Sequence, residues 1–318
     1  MKKTILLIIL YFLSLDLSFS QEKISNKDLK FYKELIKEFK KNSINKDSIN
    51  WVLFEKKVLE KSKISKDSAI IEALSLNGES HSRYFKKDTK SSLHGKFKSK
   101  KIFQDFEKTG YIKIDYFTPS KTSLKETITK ARKYINKRIE AIKLQDQKEL
   151  NCWIIDLRNN GGGDMWPMII SLTPFFNNGI LGYTVKKEKE NIWRKENSKI
   201  YYKNINKTKK YLEKPFDYKL KNNNIKIAVL INNRTASSAE ATAIALTNNE
   251  NVKFFGTKTF GYTTNNTSIE MKNGDFLILT TGFWKNYNGK KFKDGIIPDF
   301  ESCNEKELKE SLKNWIKK

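Results

Sequence analysis

Cysteine and histidine are almost missing from this chain, two of each in 318 residues. Two cysteines exclude a disulfide-framework mini-protein and any four-cysteine zinc site, and two histidines leave no histidine-rich metal centre. Fourteen glycines and five prolines are too few for a collagen-like or low-complexity chain. Arginine is scarce as well, at six of 62 basic residues. That scarcity matters because a formal charge of +26 would otherwise suggest a polyanionic partner. Phosphate clamps and base readers favour the bidentate guanidinium, whereas here lysine, asparagine and isoleucine are abundant together along the whole chain. The basicity follows from residue usage, and no nucleic-acid partner is expected.

Long apolar runs are also rare. The one at the N-terminus, Thr4 to Ser14, follows Lys2 and Lys3 and precedes Ser18-Phe19-Ser20. A charged start, a short apolar stretch and small residues before Gln21 are the pattern of a signal peptide. The run is shorter than the ~20 residues of a spanning helix, so no transmembrane span is expected in the mature protein. Cleavage near Ser20 would leave it periplasmic or secreted. In an oxidising compartment Cys152 and Cys303 could pair, and Cys152 in its apolar run is equally natural as a buried thiol.

What remains is patterned as α/β. Leu29, Tyr32, Leu35, Ile36 and Phe39 recur at helical spacing, as do Trp51, Phe54, Val58 and Leu59. The spacing predicts an N-terminal helical domain over residues 21–85, then a polar, lysine-rich connector over 86–109. From 110 to 318 strand-like and helical segments alternate. Gly110–Phe117 alternates as a strand, and Cys152–Leu157 and Ile225–Ile231 are continuous apolar strands of the doubly buried kind. Helices are expected over 123–144, 165–176 and 237–247, and further strands over 252–255, 276–281 and 296–297. Strand–turn–helix units in succession imply a mostly parallel or mixed sheet.

Three segments carry chemistry-bearing residues. Asp156-Leu-Arg-Asn-Asn-Gly161-Gly-Gly-Asp164 ends a buried strand, and its glycines can bring backbone N–H groups close to developing negative charge. It fits neither a dinucleotide fingerprint, since Trp166 stands where the last glycine would be, nor a phosphate-binding P-loop. Thr235-Ala-Ser237-Ser238-Ala-Glu240 follows the next strand. Ser237 with Glu240 is a capping box, and the same place suits a nucleophilic serine on a sharp strand-to-helix turn. Ser80-His81-Ser82 offers an imidazole, the usual base for a serine hydroxyl. The other histidine, His94, lies in the polar stretch.

Taken in order, SHS, DLRNNGGGDMWPM, INNRTASSAEATAIAL, GTKTFGYTT and GIIPD resemble one family of serine peptidases. It groups the C-terminal processing (tail-specific) peptidases, the tricorn core protease and the interphotoreceptor retinoid-binding protein modules. The resemblance runs from about Lys27 to Phe300. It implies a crotonase- and Clp-protease-like superhelical core of ββα units behind a small N-terminal helical domain. It also implies Ser237 as nucleophile, with the Ser238 N–H and a glycine N–H of Gly161 or Gly162 as oxyanion hole. The tail-specific branch takes its base from a lysine in a Phe-Gly-Lys segment, and this chain has Phe260-Gly261-Tyr262 there. The resemblance is therefore nearer the tricorn-like branch, in which a pair matching Ser80-His81 supplies the base. A late acid completes that relay, and Asp294 is the nearest match. Only about 28 residues separate His81 from Gly110, too few for a PDZ module. The implied protein is an exported serine-type endopeptidase with a polypeptide substrate and no cofactor or metal. A non-catalytic binder of a hydrophobic or peptide ligand, as among the retinoid carriers, and a crotonase-type acyl-CoA enzyme are the alternatives.

Overall fold

The computed structural model describes residues 25–87, 106–120 and 123–317. The segment read as a signal peptide, His94 and most of the polar connector lie outside them. The described chain divides into two compact units, one holding residues up to 89 together with 266–280, the other 90–265 with 281–318. Among the described residues no helix is long and apolar enough to cross a membrane.

In the first unit, α1 (Asn26–Asn42), α2 (Trp51–Ser62) and α3 (Lys66–Leu76) follow the periodicity of their apolar residues. Each starts at a polar residue whose side chain accepts an orphan N–H of the first turn: Ser25, Asn50 and Ser65. The helices alone do not close this core. Leu35, Phe39, Phe54 and Val58 pack with Met271, Leu277 and Leu279, which arrive some two hundred residues later. The first half of a long strand, Phe276–Asn286, pairs antiparallel with the short strand β1 (Arg83–Phe85), placing Arg83 opposite Ile278. A sequence boundary at 85 takes no account of this returning segment, because nothing local marks residues 266–280 as part of a helical module.

The second unit holds a five-stranded parallel sheet. Its strands are β2 (Thr109–Lys113), β3 (Cys152–Asp156), β8 (Lys226–Ile231), β9 (Val252–Gly256) and β12 (Phe300–Glu301), lying side by side in the order β12-β9-β8-β3-β2. Successive residues serve opposite faces, as the two-residue period of a strand requires. Trp153, Ile155, Ile227 and Val229 join the larger core with helices α4 (Leu124–Gln145), α5 (Met165–Ser171) and α7 (Ser238–Leu246). Cys152, Ile154, Ala228 and Leu230 face the other way, onto Leu308 and Leu312 of the C-terminal helix α8 (Glu305–Lys317). Continuous apolar runs are the consequence of covering both faces. Both cysteines are free, Cys152 buried and Cys303 exposed, and burial pushes the Cys152 thiol up to about 12.

A second, antiparallel layer in this unit was not legible. It comprises β4 (Gly179–Lys186), β5 (Lys189–Glu196), β6 (Lys199–Tyr202) and β7 (Ile205–Asn206), followed by the short helix α6 (Lys207–Tyr211). The second half of strand 276–286, β11 in chain order after β10 (Thr264–Glu270), pairs with β4. β5 is mostly polar and β6 and β7 are short, so these segments resemble loops in sequence. Three expectations need correction. The helix expected over 165–176 stops at Ser171, with a separate 3-10 turn at Thr173–Phe175 after it. The strand expected at Gly110–Phe117 ends at Lys113, with Phe117 making only an isolated bridge to Gly163, and 296–297 is not a strand. There Ile296 exchanges hydrogen bonds with Thr259, N–H to hydroxyl and carbonyl to N–H, without a continuing ladder.

Candidate active site

The loops after β3 and β8, neighbouring parallel strands, lie at the C-terminal edge of the sheet, where open α/β sheets place their ligands. They are tied to each other by side chains. Asn232 Nδ2 donates to Asn159 Oδ1 at 3.0 Å while Asn232 Oδ1 accepts from the Asn159 N–H at 3.0 Å. Thr235 Oγ1 donates to the Leu157 carbonyl, and the Ala236 N–H to the Asn160 carbonyl. Beneath them Asp156 is fully buried. Burial works to raise its pKa, but the bidentate Arg158, Lys113 and the Tyr111 hydroxyl outweigh it and hold the carboxyl below the usual range.

Ser237 heads α7 and forms the capping box with Glu240, yet its backbone is not that of a plain N-cap. A plain N-cap residue has extended dihedrals, as at the starts of the first three helices. Ser237 instead has φ 54° and ψ −121°, a strained conformation outside the capping range. A non-glycine residue persists there only when its surroundings hold it, and they do. The Ser237 N–H donates to Glu240 Oε2 at 2.8 Å, and Glu240 Oε1 accepts from the Gly261 N–H at 2.9 Å and from Thr259 Oγ1 at 2.5 Å. The Tyr262 N–H is a further donor to the same carboxyl. Glu240 is fully buried, and desolvation raises its pKa despite these four donors. One carboxyl group thus fastens the Ser237 turn to the Thr259–Tyr262 loop. Sequence reading had treated it as a helix-capping residue only.

Gly162 lies against this turn. A β-carbon there would stand 2.9 Å from Ser237 Cβ, from the Ser238 nitrogen and from the Ala236 carbonyl oxygen, and its φ of +103° also demands glycine. Its amide is occupied, donating to Asn160 Oδ1 at 2.9 Å. The Gly161 amide has no partner among the described residues, and the Ser238 N–H belongs to the unpaired first turn of α7. The Ser238 hydroxyl donates to the Gly163 carbonyl, which pins the glycine loop to the helix start. So the structure brings Gly161, Gly162, Ser237 and Ser238 together in one unit. Of the two candidate glycines, Gly162 supplies closeness and Gly161 the open N–H.

Ser80 and His81 belong to the other unit. Ser80 is exposed and His81 half-buried, on a turn organised by a carboxylate that sequence reading passed over. Glu79 accepts from the His81 N–H at 2.7 Å, the Ser82 N–H at 2.9 Å, Asn77 Nδ2 at 3.0 Å and Thr280 Oγ1 at 2.8 Å. Arg83 Nη1 closes the same turn onto the Ser80 and Ser82 carbonyls, and Asn266 Nδ2 donates to the His81 carbonyl. Burial lowers the His81 pKa to about 4, with Glu79 opposing and Arg83 adding to the depression. The imidazole is neutral at neutral pH, the form a general base requires. Asp294, the acid matched by resemblance, has an exposed side chain with no hydrogen bond or ion pair among the described residues. Among the described residues no cluster of histidine, cysteine or acidic side chains could hold a metal ion.

Residues 108–302 match the model of peptidase family S41. A nisin-resistance protein of Lactococcus lactis subsp. lactis is 34% identical over 173 residues, covering 52% of this chain and 50% of that protein. The carboxy-terminal processing protease CtpA of Bacillus subtilis is 32% identical over 164 residues, 51% of this chain and 31% of its own length. The aligned part therefore spans half or less of these two relatives. A lipoprotein structure from Streptococcus agalactiae superposes with a TM-score of 0.68 at 24% identity, over 91% of this chain and 95% of that one, and shows the same fold. That likeness, with a family match over more than half of the sequence, confirms the Clp-protease-like α/β class, and the chain belongs to peptidase family S41.

Proposed function

We propose that the protein is an exported serine peptidase that cleaves polypeptides through an acyl-enzyme on Ser237. The observation that carries this reading is the backbone of Ser237, a strained positive-φ conformation held by Glu240 beside two N–H groups, those of Gly161 and Ser238, that have no partner among the described residues. A serine in that setting attacks the peptide carbonyl with Oγ while a neutral base takes its proton. The two amides stabilise the oxyanion that forms, an interaction typically worth about 2.7–4 kcal/mol of barrier per donor. His81, neutral above about pH 4, is assigned the base and then donates that proton to the leaving amine. Water, activated by the same imidazole, releases the acid product and restores Ser237. The B. subtilis relative's name points to carboxy-terminal processing and the L. lactis relative's to nisin resistance, and both settings suit a polypeptide substrate. Export rests on the charged, apolar and small-residue pattern before Gln21.

Treatment of the protein from Gln21 onward with a fluorophosphonate probe tests this reading, with Ser237→Ala and His81→Ala alongside. Labelling mapped to Ser237 and lost in both variants is the expected result. A folded protein that stays unlabelled would instead support a non-catalytic binder on this fold.

A further inference from the structure

Phe260 is 54% exposed, yet it stands on a loop tied down by hydrogen bonds on both sides of it. Its own N–H donates to the Thr235 carbonyl, two residues before Ser237. On either side Thr259 and Gly261 donate to Glu240, and Thr259 exchanges two hydrogen bonds with Ile296. The Gly261 and Ser237 amides share that single carboxyl group, which sets Phe260 a carboxyl's width from the backbone of the nucleophile. The Tyr262 ring meets the Phe260 ring edge-on at 4.4 Å, and Ile297, next to the Ile296 that this loop binds, is 73% exposed. An aromatic ring displayed on a rigid loop forgoes the burial that usually repays it, and such exposed apolar surface marks a contact site. The segments that meet at this loop carry the exposed charges Arg234, Lys258, Lys293 and Asp294, three of the four positive.

We propose that Phe260, backed by Tyr262, is a specificity wall that receives a large apolar side chain flanking the scissile bond of a peptide substrate, and that the surrounding cations disfavour a basic one. The proposal rests on the peptidase reading and deepens it. An apolar side chain seated on the ring would bury both surfaces, and a lysine at that position would meet like charge. Contacts of this kind commonly discriminate substrates by about 10–200-fold.

The test uses two pools of fluorescein-labelled random decapeptides, one with phenylalanine and one with lysine fixed at the central position. With wild-type protein, cleavage next to the fixed phenylalanine should exceed cleavage next to the fixed lysine by about tenfold or more. Phe260→Ala should bring the two within about threefold and Phe260→Leu should retain the preference. Equal cleavage of both pools by wild type, or an unchanged preference in Phe260→Ala, overturns the wall. Fluorescence anisotropy of the same pools with the Ser237→Ala protein separates this from the chemistry. Phenylalanine-selective binding that Phe260→Ala abolishes supports the wall even if wild type cleaves nothing, a result that would sink only the peptidase reading. Unselective binding without cleavage overturns the wall.

Discussion

Gly162 and Ser237 stand so close that a single methyl group cannot be placed between them: the β-carbon absent from Gly162 would lie 2.9 Å from that of Ser237. Gly162→Ala must therefore move the glycine loop, the serine turn or both, and must also hold alanine at a φ of +103°. Such a residue carries about 1–3 kcal/mol of strain before any clash. The variant should lose about 100-fold or more in the rate of fluorophosphonate labelling, comparable to the loss of an oxyanion donor. Its thermal midpoint should fall by several degrees. Near-wild-type labelling would show that the approach of these two backbones does not matter for the serine.

Glu240 should be among the most sensitive side chains in the protein. Glu240→Ala leaves the Ser237, Gly261 and Tyr262 amides and the Thr259 hydroxyl without their acceptor in a dry interior. A loss of about 3–5 kcal/mol in urea unfolding is expected, the scale for breaking a buried polar network. Glu240→Gln keeps the shape and one acceptor oxygen, and should recover at least half of that loss. Equal stability of the two variants would mean that neither the shape nor a single acceptor oxygen holds these donors.

The depressed pKa of His81 has a consequence for stability. An unfolded histidine titrates near 6.5, so between about pH 4 and 6.5 the unfolded chain binds more protons here than the folded one. The neutral His81 therefore contributes stability above about pH 6.5 that is lost as pH falls toward 4. Urea midpoints across this window should fall less steeply for His81→Ala than for wild type. Parallel curves would mean that the imidazole is solvated.

The same depression shapes reactivity. If His81 is the base, the acid limb of the labelling rate should lie near pH 4 rather than 6.5. Glu79 pulls the pKa upward, so Glu79→Gln should move the limb to still lower pH. It should also weaken the turn that holds the imidazole, since Glu79 accepts from both the His81 and the Ser82 N–H. A limb that stays fixed in Glu79→Gln would assign the titration to another group.

The thiols give a check that is independent of catalysis. Cys303 is exposed, whereas Cys152 is buried and its thiol is pushed up to about 12. Iodoacetamide should add one adduct to the native protein and two in denaturant, read by intact mass. A native protein that takes no adduct until it is reduced would reveal a disulfide and contradict this arrangement.

The α/β class, the N-terminal helices and the places of the glycine and Ser237 turns were all legible in the chain itself. Each rests on local chemistry: the three- and four-residue spacing from Leu29 to Phe39, and the unbroken apolar run of Cys152–Asp156 between two covered faces. The motif glycines and Ser237 belong to this class too, because a turn that needs φ above zero writes itself into adjacent residues. Tertiary structure alone decided which distant groups meet. Met271, Leu277 and Leu279 complete the helical core from far along the chain, and Glu240 became a tie between two loops as well as a cap. Gly162 spent its amide on Asn160 and left Gly161 with the open one, and Glu79 gathered the His81 turn. Periodicity and backbone preference act over a few residues and are carried by the sequence. A hydrogen-bond partner or a core neighbour is chosen by burial when the chain closes, so its identity exists only in the folded state.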